Sequence, residues 1–149
     1  MNVHIKTFEA LSITELYNLL QLRSDVFVVE QDCVYQDMDG NDKNALHVLG
    51  FKDDTIVAYT RIFKPGDYFT EASIGRVVVN KKYRAFKYGY AIMKASISGV
   101  ETHFNTRVIK ISAQEHLKQF YSNLGFKQKG DSYLEDGIPH IAMYRNASV

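Results

Sequence analysis

The sequence is poor in several features, and some of these absences exclude classes of protein. It has one cysteine, two prolines and no tryptophan. The single Cys33 permits no disulfide within the chain, which fits a reducing compartment and a cytoplasmic location. The formal net charge is only +1, so no overall field draws the chain to nucleic acid or anionic lipid. No apolar run is long enough to span a membrane. From the net charge and this absence together, neither a nucleic acid nor a membrane is expected as a partner.

What remains is the composition of an ordinary globular domain. The 149 residues are 46% hydrophobic and 23% charged. A chain of this length can bury roughly 70% of its unfolded surface around one core. No repeat, low-complexity tract or Ser/Gly linker marks a boundary. We therefore expect a single domain over residues 1–149, as a monomer or a homodimer.

Hydrophobic periodicity and turn residues predict the element order β, α, β, β, β, α, β, α, β, β. Ser12 followed by Glu15 is a capping-box signature, and the helix it begins is predicted to run to about Val29. Hairpin turns are predicted at residues 52–54 and 135–137. The strand–helix–strand unit in the middle of the chain favours a parallel strand pair. The expected fold class is therefore α/β with a mixed sheet.

A cationic turn follows the strand predicted at residues 73–79. It lies between a buried strand and a helix, where the helix dipole and the unpaired N–H groups both favour an anion. The spacing matches neither a Walker A loop nor GxGxxG, because Gly89 is the only glycine present. These residues alone leave two interpretations open, a phosphate site and a solvated surface turn. The cations of the turn are Lys81, Lys82, Arg84 and Lys87.

An acidic stretch at residues 37–42 invites a metal interpretation. A calcium loop beginning at Asp37 needs glycine at its sixth position and glutamate at its twelfth, where this chain has Asp42 and Val48. The histidines show no zinc-ligand spacing, so no metal is expected. Two interpretations of the stretch remain: a structural turn, or an acidic rim in which Asp37, Asp39 and Asp42 draw a cationic amine.

Five segments together resemble one known family. Residues 74–89 and 114–126 resemble the GCN5-related N-acetyltransferases (GNAT), and residues 27–31, 35–40 and 133–140 resemble the ElaA-like branch of that family. The likeness covers nearly the whole chain. It implies a mostly antiparallel sheet with a central parallel pair and flanking helices, a fold called α+β in some schemes. It also implies an enzyme that moves an acetyl group from acetyl-CoA to a primary amine of a small molecule or peptide, by direct transfer in a ternary complex.

The resemblance assigns the cationic turn to the pyrophosphate of acetyl-CoA. The family pattern there is Gln/Arg-x-x-Gly-x-Gly/Ala; Arg84 and Gly89 match its ends, and Lys87 stands where the first glycine usually lies. We expect Lys87 to keep a negative φ and to add a charge, so that phosphate binding survives with altered geometry. The implied acetyl-CoA site comprises Val77, Val78, Val79, Arg84, Ala85, Phe86, Lys87, Tyr88, Gly89, Tyr90, Gln114 and Tyr121.

The same resemblance implies roles for individual groups. The backbone of Val77 and Val79 would hydrogen-bond the pantetheine arm, and the N–H near Val78 would face the thioester oxygen. Gln114 matches a position that contacts the pantetheine arm in many relatives. Tyr121 matches the tyrosine that protonates the leaving thiolate. Acyl transfer from a thioester to an amine needs such a proton source and an oxyanion donor.

The general base is left open by the resemblance. Some relatives carry a glutamate where this chain has Ser73, so that route is missing. His140 is favoured because the unperturbed pKa of histidine suits the task. A structural role for His140, with a water chain carrying the proton away, is the alternative. The other candidates are Glu71, Glu115 and His47.

Two rival functions compete with the enzyme. An acyl-CoA-binding sensor would keep the ligand site without turnover, and the presence of Tyr121 favours the enzyme over it. A nucleic-acid-binding α/β domain would use the cationic turn, but the net charge near zero and the acidic stretch count against it.

Overall fold

A computed structural model describes residues 1–146 of the chain and contains one eight-stranded sheet. Its strands are β1 (Asn2–Thr7), β2 (Leu46–Lys52), β3 (Thr55–Phe63), β4 (Ala72–Val79), β5 (Ile109–Gln114), β6 (Lys127–Gln128), β7 (Tyr133–Glu135) and β8 (Ile138–Arg145). The strand order is β1-β2-β3-β4-β5-β8-β6, and β7 pairs with β8. Among the described residues every pair is antiparallel except β4 with β5, which is parallel. The predicted fold class, a mixed and mostly antiparallel α/β sheet with a central parallel pair, is confirmed.

Helices pack on both faces of this sheet. They are α1 (Ile13–Arg23), α2 (Tyr88–Phe104) and α3 (Lys118–Ser122). The predicted capping box begins α1: the Glu15 N–H donates to Ser12 Oγ at 3.0 Å, and the Ser12 N–H donates to the Glu15 carboxylate at 2.9 Å. The α-helix ends earlier than predicted, at Arg23, and the chain continues as a π-helix over Ser24–Glu30.

Two apolar clusters cover the two faces of the sheet. Alternate residues of β3 contribute to different clusters because successive side chains of a strand point to opposite faces. Ala58 packs with Ile92 and Met93 of α2, whereas Tyr59 packs with Leu19 of α1. All five side chains are fully buried. The sheet is therefore sandwiched between helices along its central strands.

Several residues with a positive φ lie in the turns between strands and after the last helix. Asp53 in the β2–β3 hairpin and Asp136 in the β7–β8 hairpin have φ of 54° and 51°, and both hairpin turns were predicted. Gly125, which follows the last helix, has φ of 92°, in the left-handed conformation that glycine adopts readily. The short strand β6 was not predicted, because two residues carry no readable period.

Candidate active site

The parallel strands β4 and β5 separate after a short paired region. They are in register only at Ala72 with Ile109 and at Ser73 with Lys110. The other edge of β4 is paired with β3 as far as Val79. A cleft of ≈ 550 Å³ opens where β4 and β5 part. The backbone of β4 beyond Ser73 is therefore the wall of a cleft on one edge and a sheet ladder on the other.

A β-bulge in β4 shapes this wall. Tyr59 pairs with Val78 but Arg61 pairs with Gly75, so two residues of β4 oppose one of β3. Arg76 lies in the bulge with φ of 51°. Such bulges re-aim the backbone beside functional sites.

The pairing register decides which N–H groups of β4 can face the cleft. The Asn80 N–H donates to Val57 O at 2.8 Å. Because hydrogen bonding alternates along an antiparallel ladder, the Val78 N–H is directed at β3 and the Val79 N–H at the cleft edge, whereas Val77 lies in the bulge that interrupts this alternation. The expectation that the N–H near Val78 faces a thioester oxygen remains a prediction; Val77, Val78 and Val79 all line the cleft.

The cationic turn closes one end of the cleft. It forms a 3-10 helix over Lys81–Phe86, and Lys87 links this helix to α2. The expectation of a negative φ at Lys87 is wrong, since its φ is 58°. This is a left-handed conformation that glycine adopts readily, and glycine is the residue of the family pattern at this position. Of the predicted residues here, the cleft is lined by Arg84, Lys87, Gly89 and Tyr90 and not by Ala85, Phe86 or Tyr88.

The π-helical segment faces the turn across the cleft. Arg84 donates from Nη2 to the Glu30 carboxylate at 2.8 Å and from Nε to Val79 O at 3.2 Å. Gln114 donates to the side chain of Gln31 at 3.3 Å. Arg84 and Gln114, predicted for acetyl-CoA binding, thus lie at the cleft but are already engaged by Glu30 and Gln31. Sequence reasoning gave these two partners no role, although both lie in a quoted family segment.

Tyr121 lies in the cleft wall, on α3. Its ring packs edge-on against Phe120 and Phe126. Only 6% of the residue is exposed, and it lines the cleft. Burial raises the pKa of its hydroxyl above the ordinary value of 10.0. The hydroxyl is therefore protonated at neutral pH and can act as an acid.

His140 lines the same cleft beside a polar group that sequence reasoning missed. Glu135 of β7 contacts it, with Oε2 at 3.3 Å from His140 Nε2. Ser112 of β5 donates to Glu135 Oε1 at 3.2 Å and contacts the Tyr133 hydroxyl at 2.6 Å. We call these four residues, Ser112, Tyr133, Glu135 and His140, the Glu135 cluster. No local sequence pattern could have found it, because the β5–β8 and β7–β8 pairings assemble it.

The other candidates for the general base lie outside the cleft lining. His47 is fully buried, with Nδ1 at 2.6 Å from the Tyr59 hydroxyl and Nε2 at 2.8 Å from Asp42 O. Burial lowers its pKa, so it stays neutral as part of the core. Glu71 and Glu115 do not line the cleft either.

The acidic stretch forms a buried ion-pair network rather than a substrate rim. Asp42 accepts hydrogen bonds from Arg23 at 2.8 Å and from Arg61 at 2.9 Å. Asp37 accepts from Arg23 and from Arg76, and Asp39 accepts from Arg61. The three carboxylates are neutralised by the three arginines. The interpretation of this stretch as a rim for a cationic amine is therefore wrong, and the structural interpretation is correct.

Residues 1–146 contain neither a candidate membrane-spanning helix nor a candidate metal site. None of the helices there has both the length and the apolar character that crossing a membrane requires. Within the same residues, no three His, Cys, Asp or Glu side chains are grouped so as to hold a metal ion.

Known proteins are similar to this chain in both sequence and fold. The family model of the acetyltransferase (GNAT) domain matches residues 14–146. Protein ElaA of Escherichia coli (strain K12) is 45% identical over 137 residues, which cover 91% of this chain and 90% of that protein. The crystal structure of Escherichia coli ElaA has a TM-score of 0.90 at 41% identity, and that of an acyl-CoA N-acyltransferase from Pseudomonas aeruginosa has 0.90 at 37%; each comparison covers 97% of this chain and 99% of the other. The chain therefore belongs to the GNAT family of acetyltransferases, is similar to ElaA within it, and is an enzyme of acyl transfer.

Proposed function

We propose that the protein transfers an acetyl group from acetyl-CoA to a primary amine, directly and within a ternary complex. The observation that carries this proposal is the parting of β4 from β5 with Tyr121 in the wall of the resulting cleft. A strand edge with unpaired amide groups suits a pantetheine arm, which contains amide groups of its own. We assign this contact to the backbone of Val77 and Val79, with Gln114 on the opposite wall.

The cationic turn suits the pyrophosphate at the other end of the donor. Lys87 lines the cleft immediately before α2, where the helix N-terminus also favours an anion. A Cβ at Gly89 would lie 3.3 Å from the Phe120 ring, so glycine allows α2 to pack closely there. Arg84 contributes its charge to the phosphates when its ion pair with Glu30 opens.

The transfer needs three groups from the chain. The amine lone pair attacks the thioester carbon, and the Val77 N–H stabilises the oxyanion that forms. The C–S bond then breaks, and the Tyr121 hydroxyl gives its proton to the departing thiolate. His140 Nε2 takes a proton from the ammonium form of the acceptor and so frees this lone pair, and the second amine proton, lost after the attack, replaces the one that Tyr121 has given away. The presence of a tyrosine in the cleft wall favours turnover over a sensor that only binds acetyl-CoA.

Binding and turnover are measured separately. Acetyl-CoA at about 100 times its dissociation constant should stabilise the fold by roughly 2.7 kcal/mol, which a thermal-shift assay detects. Release of the CoA thiol in the presence of a panel of primary amines then reports transfer. A protein that binds acetyl-CoA tightly and acetylates none of the amines would contradict the proposal.

Tyr121→Phe tests the acid within the same assay. The change keeps the ring in the core and removes only the hydroxyl, so turnover should fall by ~10²–10⁴-fold while acetyl-CoA affinity barely moves. Tyr17→Phe is the matched control, because Tyr17 is 70% exposed on α1, away from the cleft. Equal turnover of both variants would remove Tyr121 from the mechanism.

A further inference from the structure

The Glu135 cluster places two hydrogen-bond acceptors face to face on the cleft wall. His140 Nδ1 lies 2.7 Å from Ile138 O, and a carbonyl oxygen can only accept, so Nδ1 carries a proton. In the neutral imidazole Nε2 then has a lone pair, and this lone pair faces the Glu135 carboxylate at 3.3 Å. Both acceptors are satisfied either by a proton on Nε2, which makes an ion pair with Glu135, or by a donor group that enters the cleft.

An ammonium group has the right chemistry for that place. It carries several N–H donors and a positive charge, so it can bond the Glu135 carboxylate and His140 Nε2 at once. Glu135 is the accessible partner, with 47% of its side chain exposed, whereas the His140 side chain is 9% exposed. A cation entering the cleft therefore meets the carboxylate first.

The unpaired charges that line the cleft lie on two different segments of the chain. The Arg76 side chain is engaged by Asp37, and Arg84 by Glu30. Among the described residues that line the cleft, Lys87 is then the lysine or arginine with no ion pair, and it lies in the cationic turn. The carboxylates of that lining without a lysine or arginine partner are Glu135 and Asp136, in the β7–β8 hairpin. The cationic turn thus offers the cleft a free positive charge, and the β7–β8 hairpin offers it two free negative charges.

We propose that Glu135 is the residue that selects the acceptor, and that the acceptor is an alkyl ammonium compound with no carboxylate beside its amine. This inference rests on the proposed function. The ammonium binds Glu135 and passes one proton to His140 Nε2, which leaves an amine lone pair and an imidazolium. The imidazolium forms an ion pair with Glu135. A carboxylate on the amine-bearing carbon would be repelled by Glu135 and Asp136, so α-amino acids are rejected.

Direct binding tests this inference without turnover. The protein is saturated with CoA, and the histidine ring signals are followed by NMR during titration with three probes: pentylamine, norleucine and 1-pentanol. Norleucine is pentylamine with a carboxylate on the amine-bearing carbon, and 1-pentanol is its uncharged counterpart. Pentylamine should bind saturably and shift the His140 signals, and the other two should bind at least tenfold more weakly. A His140→Gln variant assigns the signals.

Glu135→Gln keeps the shape and removes the charge, so it should weaken pentylamine binding at least tenfold. Glu101→Gln, the same change on the outer side of α2, should leave binding unaltered. Unchanged binding in Glu135→Gln, or no saturable binding of pentylamine to the wild type, would overturn the inference. If the binding pattern holds but no amine is acetylated, the proposed function fails and the inference about recognition stands.

Discussion

Lys87 joins the cationic turn to α2 with φ of 58°. In this left-handed region the Cβ of an L-residue crowds the following carbonyl, at a cost of roughly 1–2 kcal/mol that glycine avoids. The side chain lines the cleft. At this position the backbone is therefore strained, and the lysine side chain places a cation beside the proposed phosphate site.

A pair of substitutions separates the strain from the charge. Lys87→Gly and Lys87→Ala both remove the cation and should weaken acetyl-CoA binding alike, as titration calorimetry would show. Lys87→Gly should nevertheless be more stable than Lys87→Ala by about 1 kcal/mol in chemical unfolding, because only glycine relieves the strain. At Lys82, inside the 3-10 helix, the order should reverse, with alanine more stable. An alanine variant as stable as the glycine variant at residue 87 would contradict the argument.

Some site residues could be predicted from local pattern and others could not. Tyr121 was expected in the cleft from the family resemblance of residues 114–126, and it does line the cleft. Glu135 was missed because its contacts with Ser112 span 23 residues and exist only once β5, β7 and β8 pair. The acidic stretch was ambiguous for the same reason: Asp37 lies 14 residues from Arg23 and 39 from Arg76. A cluster of like charges says nothing about distant partners.

The π-helix Ser24–Glu30 is the element that sequence periodicity could not resolve. A helix was predicted as far as about Val29, and helical backbone does continue to Glu30, but with wider turns after Arg23. Wider turns rotate the side chains relative to an α-helix and are frequent at functional sites. Here they bring Val26, Phe27 and Glu30 into the cleft lining. The element thereby reaches across the cleft to the cationic turn.

Glu30→Gln should strengthen acetyl-CoA binding. The change removes the carboxylate that holds Arg84 and leaves the arginine available to phosphate. The two side chains are 31% and 41% exposed, so their ion pair is worth only about 0.2–1 kcal/mol. The expected gain in affinity is therefore up to about fivefold, measured by titration calorimetry at low salt.

S-acetylpantetheine, which lacks phosphate, is the control ligand for this change. Its affinity should be the same for Glu30→Gln and the wild type, because it offers nothing to Arg84. Asp32→Asn serves as a control for charge alone, since it removes a carboxylate close by in the sequence and outside the cleft lining. A gain for both ligands in Glu30→Gln would mean that the π-helix had moved, and weaker acetyl-CoA binding would contradict the prediction.

At the scale of the molecule, more of the sheet than of the cleft could be predicted from the sequence. Strand alternation, the two hairpin turns and the strand–helix–strand unit each depend on residues close in sequence, so the fold class followed from them. The parting of β4 from β5 and the bulge at Arg76 depend on how twisted strands pack after pairing. Local pattern does not encode that geometry.

The buried ion pairs connect these distant parts. Arg23 of α1, Arg61 of β3 and Arg76 of β4 all bind the segment that contains Asp37, Asp39 and Asp42. Burial alone raises the pKa of Asp42, but hydrogen bonds and charges from Arg23 and Arg61 outweigh it and hold that pKa below 3.8. Burial also opposes ionisation of Asp39, and Arg61 likewise lowers its pKa. The network therefore makes stability depend on pH.

Asp42→Asn should destabilise the fold by roughly 3–5 kcal/mol at pH 7, because Arg23 and Arg61 would stay buried with one carboxylate fewer. A carboxyl whose pKa is lower in the folded than in the unfolded chain contributes stability above its unfolded value of 3.8, and this contribution is lost as pH falls through the folded pKa. Wild-type stability should thus decline from about pH 5 downward, and the decline should be shallower in Asp42→Asn. Urea unfolding at a series of pH values measures both effects.

Asp67→Asn, an exposed change in the β3–β4 connection, should shift stability by less than about 0.5 kcal/mol and leave the slope of stability against pH unaltered. Parallel pH curves for Asp42→Asn and the wild type would show that the network does not set the acid stability.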